Sequence, residues 1–163
     1  METIINGVTL LSPITANNET ARRNIDAVVE FFSLYLKDKE RFYSLWVEEN
    51  PAVITPYVTG DIGNIQVTAH EGWDAVKAFW DPIHDDMHGK FDWYIDEVIA
   101  GEDPNVIITR THSDVDVQAD GVFGGVHPTY QGRYVQIFRF TDGKVKAFEE
   151  YFDTAQLASA YGG

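Results

Sequence analysis

Apolar and polar positions alternate with two different periods along this chain. Between residues 19 and 36, Ile25, Val28, Val29, Phe32 and Leu36 recur at helical spacing, giving one broad apolar face. Asn17 or Asn18 supplies an N-cap ahead of it. A second helix is predicted over about 38–47, carrying Phe42, Leu45 and Trp46 and ended by Pro51. The β-branched run 52–59 and the run 65–70 read as two short strands joined by the turn GDIGN. A third helix follows over about 71–81, with Pro82 as its stop. From there the period is two. Segments 91–100, 105–118, 130–140 and 144–152 read as antiparallel strands, with a tight hairpin at Thr141-Asp142-Gly143. A short helix closes the run at 154–161, and residues 1–16 read as an extended arm.

Helices first and long strands last argue an α+β fold, one domain over residues 1–163. A strongly twisted sheet wrapped over three N-terminal helices makes a cone with one open mouth, which is a small-molecule pocket.

Composition narrows the partners. The 163 residues include 26 Asp and Glu against 12 Lys and Arg, a formal charge of −14. Such a surface repels nucleic acid and anionic membranes. There is no cysteine, which excludes disulfides and thiolate chemistry and fits the cytoplasm. The first residues lack a basic region and a long apolar core, so no signal peptide is expected. No apolar run approaches the roughly 18 residues that span a bilayer.

Two families of resemblance bear on function. The element order and the closing pattern FRFTDGKVKAFEEYFD resemble the nuclear-transport-factor-2-like (NTF2-like) superfamily, which holds ketosteroid isomerases, SnoaL-type cyclases and scytalone dehydratases. More narrowly, ARRNIDAVVEFF, SLWVEE, AHEGWDAVKAFW, FDWYIDEVIAGEDPNVII and GRYVQIFRFTDGKVKAFEEYF are similar to the PhzA/PhzB family of phenazine biosynthesis. The resemblance implies a homodimer of cone-shaped subunits. It implies cofactor-independent acid/base chemistry, an amine–ketone condensation or a related cyclisation or isomerisation of a cyclic carbonyl compound. By that resemblance the acid/base pair is Glu150 and His70. A SnoaL-like cyclase with another substrate and a non-catalytic ligand-binding domain are the alternatives.

The residues support parts of this independently. In FEEYF, Phe148, Glu150 and Phe152 share one parity, and Glu149 has the other; a bulge near the strand end would exchange them. A carboxyl walled by Phe148 and Phe152 is poorly solvated, and its pKa is expected to rise toward neutrality. Tyr134, Gln136 and Phe138 share a parity and, with Trp46, Trp80, Phe148 and Phe152, are candidate walls of the pocket. The ketosteroid isomerase triad is missing: Phe32, the stretch Val53-Ile54-Thr55 and Gln136 stand where its tyrosine, base and oxyanion aspartate would lie. Where the phenazine proteins place an arginine suited to a carboxylate substrate, this chain has Phe42. His84 and His88 have metal-like spacing, but Pro82 and Gly89 flank them and no third ligand follows, so a polar loop over the pocket is expected and no metal. Asp114, Asp116 and Asp120 read as the wet side of a strand. The glycine-rich stretch 121–132 reads as a connection over the pocket, with His127 a weak candidate within it.

Overall fold

The structure is a computed structural model, and it describes residues 2–16, 18–58 and 64–162. Strands β1 (Thr3–Ile5) and β2 (Val8–Leu10) precede helices α1 (Glu19–Ser33) and α2 (Lys39–Ser44). Strands β3 (Ala52–Val58) and β4 (Ile65–Glu71) lead to α3 (Trp73–Asp86). Then come β5 (Met87–Ala100), β6 (Val106–Ala119), a single 3-10 turn at Gly121–Phe123, β7 (Thr129–Tyr130), β8 (Arg133–Thr141), β9 (Lys144–Phe152) and α4 (Thr154–Tyr161). All nine described strands join one curved, unclosed sheet in the order β1-β2-β5-β6-β8-β9-β3-β4, with β7 paired to β6. The α+β class and the helix-on-curved-sheet architecture are those expected.

The concave face packs on α1 through aromatic rings. Phe31, fully buried, lies 4.8 Å from the ring of Phe42, 5.7 Å from Trp80 and 5.0 Å from both Phe138 and Phe148. These tilted, edge-to-face and stacked contacts join α1, α2 and α3 to β8 and β9. Asn18 caps α1 by accepting from the amides of Thr20 and Ala21; Asn17 lies outside the described residues. The EDPN motif has a structural role here. Asp103 accepts from the Asn105 amide to shape the β5–β6 turn, and buried Asn24 of α1 donates to the Pro104 carbonyl at 2.9 Å.

Several boundaries differ from expectation, each for a physical reason. The N-terminal arm is a hairpin. Asn6 and Gly7 take positive φ (50° and 83°), the two-residue turn that an Asn-Gly pair favours, and β2 docks parallel to β5 with Val8 and Leu10 buried. Asp142 and Gly143 make the same turn between β8 and β9, as the sequence suggests. Helix α2 is shorter than predicted. Helix α3 does not stop at Pro82 but runs one more turn, because Ile83 joins the core and His84 packs 4.5 Å from the Phe42 ring. The expected polar loop at 84–90 is therefore the end of α3 and the start of β5. The GDIGN turn lies, except for Asn64, outside the described residues.

Candidate active site

A bulge decides which glutamate of β9 faces inward. Arg139 pairs with Ala147, but Phe140 pairs with Val145, so Lys146 is the extra residue. Counting by twos from buried Val145 would turn Ala147 and Glu149 inward. The extra residue shifts the parity, and Phe148 and Glu150 become the buried pair. Lys146 is held in place by donating to the carbonyls of Glu49 and Asn50, at 3.0 and 2.7 Å. Glu149 faces outward and accepts from the Tyr151 hydroxyl at 2.6 Å.

Glu150 lies in the wall of a cavity of about 480 Å³ between the concave sheet, α3 and α4. Burial pushes its carboxyl up from 4.5 to about 7; a hydrogen bond from Gln136 pulls weakly the other way. That bond is oriented from behind. The hydroxyls of Thr109 and Thr111 both donate to Gln136 Oε1, at 2.8 and 3.0 Å. The amide NH2 is thereby turned toward Glu150 Oε2, 3.1 Å away. Thr109, Thr111 and Gln136 are all buried, so the relay is shielded from water.

The remaining lining is mostly rings: Tyr35, Phe79, Trp80, Trp93, Tyr134 and Phe152 stand among them. Among the described residues, the lining carboxyls are Glu150 and Asp153, and no Lys, Arg or His lines the cavity. The residues outside the description, Met1, Asn17, 59–63 and Gly163, include no Lys, Arg or His in the sequence. Phe42, where the phenazine proteins carry an arginine, is fully buried in the core. Its neighbour Arg41 is bound to Glu30 at the surface.

The expected site residues divide accordingly. Glu150, Trp80, Tyr134 and Phe152 come together on the cavity. Gln136 does not line it but holds Glu150 from beneath. Trp46, Phe138 and Phe148 are corrected from wall to core, because each is enclosed by the rings around Phe31 and none reaches the cavity. His70 is also displaced: it stands on the edge strand β4, one layer back, with its ring against Tyr57 (4.8 Å) and Phe79 (5.2 Å). Its Nε2 is buried without a partner, and desolvation lowers its pKa. Glu150 and His70 therefore do not face each other across the cavity. His84 and His88 sit on different elements, and among the described residues no group of three or more His, Cys, Asp or Glu could hold a metal. His127 pairs with Asp116, away from the cavity.

Other lining residues come from segments that carry no motif. Tyr35 follows α1, Thr55 and Tyr57 lie on β3, Val122 and Phe123 on the 3-10 turn, Tyr130 on β7, and Gln156, Leu157 and Tyr161 on α4. The turn and α4 thus form part of the mouth, as the glycine-rich stretch suggested.

This architecture belongs to a known class. The SnoaL-like domain family matches residues 40–148, and the chain belongs to it. Among relatives, it is 25% identical over 158 residues to the phenazine biosynthesis protein PhzB of Pseudomonas fluorescens, covering 94% of this chain and 90% of that one. Two solved structures share the fold. A phenazine biosynthesis-related protein of Pseudomonas aeruginosa superposes with a TM-score of 0.63 at 23% identity, over 93% of this chain and 88% of that one. A putative isomerase of Bacillus subtilis gives 0.69 at 20% identity, over 90% and 97%. No described helix is long and apolar enough to cross a membrane.

The raised carboxyl has a consequence for stability. A pKa of about 7 in the folded chain against about 4.5 unfolded means that the folded state holds the extra proton between those values. The corresponding stability is fully present below about pH 4.5 and is lost as pH rises through about 7. Glu150→Gln, neutral at every pH, should match wild type near pH 4. It should exceed it near pH 8 by up to roughly 3 kcal/mol, as read by urea unfolding. Equal curves at both pH values would contradict the buried, ionisable placement.

Proposed function

We propose that the chain is an acid/base enzyme in which Glu150 moves a proton on a cyclic carbonyl compound, promoting condensation, ring closure or isomerisation without a cofactor. The observation that carries this reading is one carboxyl, buried among rings at the cavity wall, with a pKa of about 7. A carboxyl of that pKa is populated in both forms near neutral pH. Neutral, it gives a proton to a carbonyl or carbinolamine oxygen; ionised, it takes one from the carbon beside a carbonyl or imine. Gln136 donates to the oxygen that carries the charge and fixes the direction of the other. His70 backs Tyr57 and Phe79 in this reading and does not share the proton. The relatives named for phenazine biosynthesis and isomerisation support chemistry of this kind. The missing arginine separates this cavity from one built for a carboxylate substrate.

The homodimer belongs to the same proposal. Ile99, Val135 and Tyr151 remain exposed on the sheet face turned away from the helices, where a second copy would cover them. Sedimentation equilibrium should give twice the chain mass; a monomer at micromolar concentration would contradict this part.

Turnover is best sought with a panel of cyclic ketones and amino-ketones. Glu150→Gln should lower kcat by about 10²–10⁴-fold on any compound that wild type converts. The wild-type profile should break near pH 7, the value burial gives Glu150. A variant with near-wild-type turnover would remove Glu150 from the chemistry.

A further inference from the structure

We infer that the cavity is a cage for an organic cation: it takes a ligand carrying an ammonium group, seated against the Glu150 carboxylate and the rings of Trp93, Tyr134 and Phe152. This names a ligand class for the site proposed above, and it rests on that reading only in taking this cavity as the site.

Charge is the first constraint. Glu150 is 8% exposed and lines the cavity, and Asp153 lines it at the exposed start of α4. Among the described residues no Lys, Arg or His lines the cavity, so an ionised Glu150 meets no counter-charge in the wall. The Gln136 amide meets its Oε2 with a neutral donor. A buried carboxylate is costly without an opposite charge. An anionic ligand would add a second uncompensated charge, and a neutral one would leave the first as it is. A cation supplies what the wall lacks.

Shape is the second constraint. Phe152 follows Glu150 on the same side of β9, and Tyr134 is its partner across β8. The ring centroids of Trp93 and Tyr134 lie 4.8 Å apart at 57°, and those of Tyr134 and Phe152 lie 5.9 Å apart at 63°. Tyr35 stands at 71° to Trp93. All four rings line the cavity. Rings inclined in this way form a concave corner, not a slot between parallel faces. A slot suits a flat fused system. A corner suits a rounded head such as trimethylammonium, which several rings touch at once. The volume of about 480 Å³ leaves room for an apolar group behind that head.

The charge of Glu150 makes the binding depend on pH. Besides the exposed Asp153 and Tyr57, the titratable groups of the lining are the phenols of Tyr35, Tyr130, Tyr134 and Tyr161. Burial holds all four phenols well above their ordinary value, so they stay protonated and uncharged. Behind the wall, burial pushes His84 down to about 4 and lowers His70. A cation favours the ionised form of Glu150, so its affinity rises as pH rises through about 7.

Two ligands of one shape test this: benzyltrimethylammonium, charged at every pH, and neopentylbenzene, its uncharged isostere. Both are titrated by the change in tryptophan fluorescence in 0.15 M NaCl, which screens the exposed acids. At pH 8.5 wild type should bind the ammonium about 10–100-fold tighter than the hydrocarbon. At pH 5.5 the ammonium should bind about 30-fold more weakly than at pH 8.5, because only the ionised fraction of Glu150 accepts it. The hydrocarbon should bind no more weakly at pH 5.5. Glu150→Gln should remove the pH dependence and keep the hydrocarbon, which reports an intact cavity. Phe152→Leu should weaken the ammonium about 3–10-fold more than the hydrocarbon. The inference is overturned by a hydrocarbon bound as tightly as the ammonium at pH 8.5, by a pH dependence that survives in Glu150→Gln, or by no saturable binding of the ammonium. Turnover plays no part in these titrations. If Glu150→Gln keeps turnover, the acid/base reading falls, while the preference for a cation is scored by binding alone.

Discussion

The proposed chemistry of this molecule depends on keeping one carboxyl, that of Glu150, out of water. An ionised carboxylate surrounded by rings is expensive, and the chain meets that cost with a single neutral donor, the Gln136 amide, rather than with a cation. A lysine or arginine in the same place would hold Glu150 ionised at neutral pH and leave it a weak base. Desolvation with one hydrogen bond instead leaves it near the pH at which proton transfer in either direction is accessible.

Much of the remaining structure positions that group. The extra residue at Lys146 turns Glu150 inward, and the Glu49 and Asn50 carbonyls hold the extra residue. Thr109 and Thr111 on β6 orient Gln136 on β8, which orients Glu150 on β9, so three neighbouring strands share one polar line inside an apolar sheet face. The ring cluster around Phe31 fixes the helices over that face. Trp80 and Tyr35 pass from the cluster into the cavity wall. A core that continues into a binding site gives rigid walls.

The sequence carries this architecture unevenly. The long alternating strands, the Asp142-Gly143 turn and the capped first helix are local signals, and they hold. Glu150 is legible as the inward acid because alternation from Phe148 to Phe152 is uninterrupted; the bulge falls upstream of it. Parity assigns a face and not a depth, which is why Phe138 and Phe148 share the correct face yet stop short of the cavity. His70 departs because its place depends on how the β3–β4 hairpin meets α3, a long-range packing outcome. The polar support was present as Thr109 and Thr111 at alternate positions on an apolar face. Tyr35, Tyr130 and Tyr161 come from three distant segments, and only folding brings them to one wall.

The SnoaL-like fold places a pocket here, and this chain's own residues give the pocket its character: acidic, ring-lined and, among the described residues, without a cationic side chain. The central claim is that burial, not pairing with another charge, sets the state of Glu150. It is tested most directly by following the carboxyl resonance of Glu150 by carbon NMR as pH is varied, assigned by its loss in Glu150→Gln. The account predicts a midpoint near 7. A midpoint at the ordinary glutamate value of about 4.3 would contradict it.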